Sequence, residues 1–249
     1  MSNILVSICV PVFNEAENVE RLYSRVCSVF DTIDGVNFEL IFTDNNSDDG
    51  TYEIIQNLAK TDTRIHAARF LKNHGYQNSI LAGYLLAKGD CLVQLDCDLQ
   101  DPPELIPKML DHWRSGYQII YGIRRSREEF WLLNLMRKIF YRGLNWLSDS
   151  PIPLDAGDFR LIDRSVVDTL QVIDDRKPYL RGMISRFGFK EIGLPYNREM
   201  RGSGESKFTF KQLIELATDG VVSNSAFPLV AANYVGVVAA AVAILWIVV

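Results

Sequence analysis

The sequence predicts an α/β fold: a Rossmann-like, mostly parallel sheet with helices on both faces, followed by an amphipathic interfacial helix and a C-terminal transmembrane helix. Three observations predict it. In the first half, short apolar, β-branched runs alternate with segments of helical periodicity, the signature of strand–helix–strand units. Polar, acid-rich clusters follow the first, second and fourth of those runs, where an open sheet of this kind binds its ligands. Beyond Asp219 the chain carries no Asp, Glu, Lys or Arg and ends in an almost wholly apolar run.

The first strand is expected over 4–13 (ILVSICVPVF), and the helix after it runs from Glu15 to about Asp31 with Val19, Leu22, Val26, Val29 and Phe30 on one face. FELIFT (38–43) is a second buried strand. Ser47 and Asp48 are candidate N-caps for a helix from about Gly50 to Lys60. RIHAARF (64–70) reads as a third strand, and a helix over Gln77–Lys88 ends at Gly89, a favourable C′ residue. CLVQLD (91–96) is the fourth strand, Pro102 and Pro103 open another helix, and YQIIYGI (117–123) is the fifth strand. The second half is less regular. Glu128–Leu147 carries many large apolar residues beside Arg137, Lys138 and Arg142, which suits either a helix in a membrane interface or a packed core helix. GDFRLIDR (157–164) contains a short strand. In 207–222, Phe210, Leu213, Ile214, Ala217 and Val221 recur at helical spacing directly ahead of the apolar tail.

The tail itself, Leu229–Val249, has 21 residues. As a helix it reaches about 30 Å, the thickness of a bilayer core; a buried core helix is the alternative. The run reaches the last residue without a polar flank, as expected of a chain cut short or of a natural protein with further spans. No signal-peptide pattern precedes the first strand, and Lys207 and Lys211 lie on the near side of the span. The organisation expected is a cytosolic domain over 1–206, an amphipathic juxtamembrane segment over 207–227 and a transmembrane helix over 228–249, with the body on the cytosolic side of the inner or plasma membrane. Hydrophobic residues at 48% against charged residues at 23% exclude intrinsic disorder. With 26 Lys and Arg against 31 Asp and Glu, a net charge of −5 argues against a nucleic-acid binder. Cys9, Cys27, Cys91 and Cys97 form no CxxC pair, and His66, His74 and His112 have no zinc spacing, so reduced thiols are expected.

The chemistry is expected where the strands end. Pro11-Val12-Phe13-Asn14-Glu15 closes the first strand, Asp44-Asn45-Asn46-Ser47-Asp48-Asp49 the second, and Asp96-Cys97-Asp98-Leu99-Gln100 the fourth. There is no GxGxxG and no GxxxxGK[ST], so the dinucleotide and P-loop readings fail. Asp96 and Asp98, two carboxylates one residue apart at a strand end, suit a hard divalent cation held between protein and a diphosphate, because Mg2+ and Mn2+ take oxygen ligands and keep water and phosphate in their remaining positions. Asp44 suits either a hydrogen bond from a nucleobase N–H or a cap on the next helix; Glu15 suits a cap on the first helix or a contact to the nucleotide. Arg124 and Arg125 follow the fifth strand, and Arg201, Ser206 and Lys207 lie in the glycine-rich stretch REMRGSGESK. Such cations with backbone donors suit phosphate oxygens; a basic loop facing solvent or lipid headgroups is the alternative for that stretch. Gly202 and Gly204 suggest a loop able to close over a ligand.

Taken together, these residues resemble glycosyltransferase family 2, the nucleotide-sugar transferases of A-type fold. The family's P-x-x-N-E opening stands here as Pro11 to Glu15, and its VDDGSxDxT pattern as TDNNSDDGT (43–51), with Asn45 in place of the second acid. The DxD is embedded in LDCDLQDPPE (95–104), a longer and more specific string that looks like the polyprenyl-phosphate branch: dolichol-phosphate mannose synthases and bacterial bactoprenol glucosyltransferases. GDFRLIDR (157–164), RGSGESKF (201–208) and DGVVSNSAFPL (219–229) favour the latter. KNHGYQNS (72–79) stands where relatives usually read RNFGKE, and relatives tend to carry two membrane spans where this chain shows one.

The resemblance implies that Pro11, Asn14, Glu15 and Asp44 line the nucleotide pocket and that Asp96, Asp98 and Gln100 surround Mg2+ or Mn2+ and the diphosphate. It implies Asp158 as the catalytic carboxylate beside Asp98, and Arg124, Arg201, Ser206 and Lys207 as ligands of donor or lipid phosphates. The reaction implied is inverting transfer of a hexose, glucose from UDP-glucose, to undecaprenyl phosphate at the cytosolic membrane face. A phosphate monoester has a second pKa of about 6 and is already ionised at neutral pH, so Asp158 is expected to position groups rather than to be indispensable as a base. A homo-oligomer and a flippase partner are compatible with this reading. Two others stay open: a family 2 transferase acting on a polysaccharide acceptor, and a catalytically silent membrane anchor that binds a nucleotide sugar.

Overall fold

The computed structural model describes residues 4–124, 156–173 and 178–198, together with Asn233, Tyr234, Gly236, Ala243 and Trp246. The chain divides into two compact units: Met1–Arg127 with Pro153–Glu205, and Glu128–Ile152 with Ser206–Val249. The first carries the sheet. The segments 128–147 and 207–222 and the residues Arg125, Arg201, Ser206 and Lys207 lie outside the described residues. Among the described residues no helix is long and apolar enough to cross a membrane; the span expected over 228–249 falls almost wholly outside them.

Seven strands form one mixed sheet: β1 (Ile4–Val12), β2 (Val36–Asp44), β3 (Ile65–Arg69), β4 (Cys91–Gln94), β5 (Ile119–Arg124), β6 (Ala156–Asp163) and β7 (Glu191–Tyr196). Their order is β3-β2-β1-β4-β6-β5-β7. β1 lies parallel to β2 and β4, β2 to β3, and β5 to β7, while β6 runs antiparallel between β4 and β5. The expected parallel sheet is therefore interrupted by the strand within 157–164, which enters its middle. β7 was not among the expected strands. The helices are α1 (Ala16–Phe30), α2 (Thr51–Thr61), α3 (Tyr76–Leu86), α4 (Ile106–Arg114, after a 3-10 turn at Pro103–Leu105), α5 (Arg164–Gln171) and α6 (Leu180–Arg186).

Both faces of the sheet are covered, because side chains alternate along each strand. Val6, Ile8 and Val10 of β1 pack with Val19, Leu22 and Val26 of α1, Ile55 of α2 and Met109 of α4. On the other face Cys9, Ile41, Leu92 and Ile162 pack with Ile80 and Tyr84 of α3, Val166 and Val167 of α5, and Ile184 of α6. All of these strand residues are essentially without solvent contact.

The topology leaves an opening at the carboxyl ends of β1 and β4. β2 and β3 lie to one side of β1 and β4 to the other, which makes this the switch point of the sheet. Pro11 stands in β1 opposite Thr43 of β2. A proline inside a central strand removes a ladder donor. Here the missing N–H faces β4, whose last bond to β1 is Leu95 N to Cys9 O. The two strands separate where the proline could no longer pair.

Two helix ends differ from expectation. Ser47 and Asp48 do not cap α2. The residue before the helix is Gly50, with φ of 91°, and Asp49 Oδ1 accepts the Thr51 amide at 3.0 Å, so the acid that closes the turn is Asp49. Gly89 is not the C′ residue of α3, which ends at Leu86 with extended Ala87 as its C-cap. Gly89 is required for a different reason. A Cβ there would lie 2.7 Å from both the Leu5 carbonyl oxygen and the Ser7 amide nitrogen, which are backbone atoms that cannot swing aside. Its N–H donates to Ser7 Oγ at 2.7 Å and its carbonyl accepts Arg164 Nη2 at 2.7 Å. Gly89→Ala is expected to lower stability by about 1–3 kcal/mol, the usual cost of forcing volume into a packed site, read as a shift in the denaturant midpoint without a change in slope.

Candidate functional site

Three loops enter the opening, and each contains one non-glycine residue with positive φ: Asn14 at 55° after β1, Asn46 at 68° after β2 and Leu99 at 61° after β4. Among the described residues these are the only ones. Asparagine tolerates the left-handed region, but a leucine there costs about 1–2 kcal/mol. Leu99 is nonetheless 6% exposed and packed into the core. The buried side chain anchors a turn that sends Asp98 and Gln100 out from the end of β4. Strain of this kind concentrates where chain geometry serves a site.

The first two loops are tied to each other. The Asn14 amide donates to Ser47 Oγ at 2.9 Å, and Asn14 Oδ1 accepts the Asp48 amide at 3.0 Å. The Glu15 amide donates to Thr51 Oγ1 at 2.9 Å, while Glu15 Oε2 accepts from Asn18 Nδ2 at 2.6 Å. Asp44, without solvent exposure, accepts the Ser47 amide at 3.1 Å, and its Oδ2 lies 3.2 Å from Arg69 Nε. Both carboxylate oxygens are thus used within the loop. Asn45 also turns inward: its Oδ1 accepts the His74 amide at 2.8 Å and its Nδ2 donates to Asn73 Oδ1 at 2.9 Å. Asn14 and Asp44 are thus linked through Ser47, and Glu15 is tied to Thr51, with Pro11, in β1, three residues before Asn14.

Four aspartates cluster around the carboxyl end of β4. Asp96 Oδ1 accepts the Tyr76 hydroxyl at 2.5 Å and Gln94 Nε2 at 3.3 Å. Asp98 Oδ1 accepts the Gln100 amide at 3.1 Å, and its Oδ2 lies 3.8 Å from Arg198 Nη2. Asp101, fully buried, accepts the Tyr196 hydroxyl and has Arg124 Nη2 at 3.6 Å and Arg198 Nε at 3.8 Å. Among the described residues its Oδ2 has no hydrogen-bond donor. Asp158 on β6 has Arg181 Nη2 at 3.3 Å and Arg160 Nη2 at 3.6 Å. Burial pushes the Asp96 carboxyl up to about 7, and the charges of Asp101, Asp158 and Asp98 add to that push, while the Tyr76 hydrogen bond opposes it.

The expected residues Asp96, Asp98, Gln100, Asp158 and Arg124 come together here, but Arg124 is engaged inside the protein. Its Nε donates to the Tyr196 hydroxyl at 3.2 Å. Space for this pair depends on two glycines: a Cβ at Gly122 would lie 2.6 Å from the Tyr196 ring, and one at Gly157 would lie 3.1 Å from the Arg124 guanidinium. Asp101, Tyr76, Gln94, Arg181, Tyr196 and Arg198 were not anticipated. Asp101 lay within LDCDLQDPPE, where an acid before two prolines reads as a turn; Tyr196 and Arg198 depended on the unexpected β7.

Asp96 and Asp98, with Gln100 beside them, offer oxygen ligands of the kind Mg2+ and Mn2+ take; among the described residues no three His, Cys, Asp or Glu side chains are grouped so as to hold a metal ion by themselves. The Asp96 carboxyl, pushed up by burial and by the neighbouring carboxylates, is the group whose ionisation a cation would favour.

The repulsion has a consequence for stability. An acid whose folded pKa exceeds its unfolded value costs the fold stability as pH rises between the two. For Asp96 that window runs from 3.8 to about 7. Asp96→Asn removes the cost, so the variant is expected to be more stable than the wild type at pH 8, by something on the order of 1–4 kcal/mol. The gain should vanish below pH 4. Thermal melts of both proteins across pH 4–8 without metal check this.

Comparison with known proteins agrees with the geometry. The sequence profile of Glycosyl transferase family 2 matches residues 7–171. An uncharacterized glycosyltransferase of Bacillus subtilis is 38% identical over 94% of this chain and 73% of its own length. A prophage bactoprenol glucosyl transferase homolog of Escherichia coli K12 is 34% identical over 97% of this chain and 79% of its own. Among solved structures, the glucosyl-3-phosphoglycerate synthase of Mycobacterium tuberculosis in complex with Mn2+, UDP and phosphoglyceric acid superposes with a TM-score of 0.59 at 18% identity, covering 88% of this chain and 76% of that one. At that identity the likeness is one of fold. The profile and the sequence relatives make the assignment: the chain belongs to glycosyl transferase family 2 and is a glycosyltransferase.

Proposed function

We propose that the protein transfers glucose from UDP-glucose to a polyprenyl phosphate, with inversion, at the cytosolic face of the membrane and with a divalent cation. The observation that carries this is the cluster of Asp96, Asp98, Asp101 and Asp158 around the carboxyl end of β4, at the switch point of the sheet where the hydrogen-bonded loops after β1 and β2 also lie. The lipid acceptor is supported by the bactoprenol glucosyl transferase relatives and by the uncharged apolar run that follows Asp219.

Asp96 and Asp98, with Gln100, would hold the cation. When bound, Mg2+ or Mn2+ supplies Lewis-acid neutralisation of the charge that grows on the leaving diphosphate. The loops of Asn14, Glu15 and Asp44 receive the nucleotide. Arg160 and Arg181 both lie against Asp158 Oδ1, which restrains the carboxylate as a positioning group. The acceptor phosphate is an ionised nucleophile and needs orientation and charge compensation more than proton removal. Arg124, Arg201, Ser206 and Lys207 are assigned to that compensation.

The test is transfer by the full chain in detergent, with undecaprenyl phosphate, Mn2+ and labelled UDP- and GDP-sugars. Label from UDP-glucose should enter the organic phase and be lost with EDTA. Asp98→Ala should cut transfer by about a hundredfold or more with the melting temperature retained. Absence of lipid label from every donor, with nucleotide still bound, would overturn the lipid acceptor. Unchanged transfer in Asp98→Ala would overturn the metal assignment.

A further inference from the structure

The network around Asp96 contains a donor that the reaction above leaves unused. Tyr76 is the first residue of α3 and follows Gly75, whose φ of 86° turns the chain onto the helix. Its ring is 40% exposed, yet its hydroxyl is directed into the site. Gln94, 1% exposed on β4, donates through Nε2 to the Tyr76 oxygen at 3.1 Å and to Asp96 Oδ1 at 3.3 Å. A phenol that accepts an N–H can aim its own proton elsewhere, and here that proton is aimed at Asp96 Oδ1. Among the described residues, both hydrogen bonds that Asp96 accepts fall on Oδ1. Oδ2 is the oxygen left for a ligand. The terminal torsion of an aspartate is soft, so two donors on one oxygen fix the plane of the carboxylate and the direction of the other oxygen.

We propose that Tyr76 is a positioning residue for the divalent cation: together with Gln94 it locks Asp96 so that one defined oxygen meets the metal. The proposal rests on the metal-dependent reading above. Partners that orient a ligating carboxylate in this way typically govern metal affinity by about ten- to a hundredfold when removed. A residue needed only for folding would change stability instead.

The experiment uses the full chain in detergent and measures Mn2+ binding directly, by the loss of the free-ion electron paramagnetic resonance signal in the presence of UDP. Tyr76→Phe, which deletes one oxygen, should weaken Mn2+ binding about tenfold, with the melting temperature unchanged. In the transfer assay the Mn2+ concentration for half-activation should rise by the same factor, while kcat at saturating Mn2+ stays within about twofold. Gln94→Met, which removes the donor that orients the phenol, should move Mn2+ binding in the same direction by less, and stands as the test if Tyr76→Phe does not fold. Equal Mn2+ binding by wild type and both variants would overturn the role of Tyr76. A wild type that binds UDP but no Mn2+ would instead overturn the metal-dependent reading, and the role of Tyr76 with it.

Discussion

Asp96, Asp98, Asp101 and Asp158 repel one another at the open end of the sheet, and much of the surrounding architecture follows from keeping them there. Partly buried like charges cannot be tolerated without compensation. The compensation comes from guanidinium groups far away in sequence: Arg124 at the end of β5, Arg160 on β6, Arg181 on α6 and Arg198 just after β7. Bringing them to one place requires β6 to enter the sheet between β4 and β5, and β7 to add beyond β5. The antiparallel interruption of an otherwise parallel sheet is thus part of how the acids are held. Compensation is left incomplete at Asp96, whose hydrogen-bond partners among the described residues are the neutral Tyr76 and Gln94.

The loops after β1 and β2 solve a different problem. Loops that leave a sheet have backbone donors to satisfy, and these loops satisfy them on each other. The Asn14 amide donates to Ser47 Oγ and Asn14 Oδ1 accepts the Asp48 amide, joining the loops after β1 and β2, while Asp44 accepts the Ser47 amide. These loops are rigid because their polar groups are already paired, so a nucleotide would meet a preformed surface. Proline at position 11 and positive φ at Asn14, Asn46 and Leu99 are local costs of the same arrangement.

The sequence revealed those parts of the fold that local pattern specifies. β1, β2, β4 and β5 are apolar runs of strand length, and α1 shows a clean apolar stripe. β7 was not legible. EIGLPY holds a glycine and a proline, which argue against a strand unless it lies at an edge and gains its partner from the sheet; among the described residues it pairs with β5 alone. The site divides the same way. Asp96 and Asp98 announce themselves by spacing, and Asn14, Glu15 and Asp44 by following strands. Tyr76, Arg181 and Arg198 do not, since nothing in a tyrosine after a glycine or an isolated arginine signals which carboxylate it will meet. The expected cap Ser47 failed because its hydroxyl is taken by Asp44 and the Asn14 amide, and Asp48 is tied to Asn14 through its own backbone amide, a tertiary demand that capping preference does not contain.

The internal pairing of Arg124 bears on how the charges of a transfer reaction would be met. A guanidinium that already serves Asp101 and Tyr196 has donors committed before any phosphate arrives. It can still make the potential of the site more positive and so favour an anion there, because charge acts beyond contact distance in a partly buried opening. Direct contact to phosphate would require it to give up part of the Asp101 pair. Arg198 stands in the same position between Asp98 and Asp101. The two arginines therefore tie the carboxylates of the aspartate cluster to the cations expected to receive phosphate. Asp98 is thus a carboxylate shared between Arg198 and the residues that would hold the cation, so the charge on Asp98 sets how firmly that guanidinium is held.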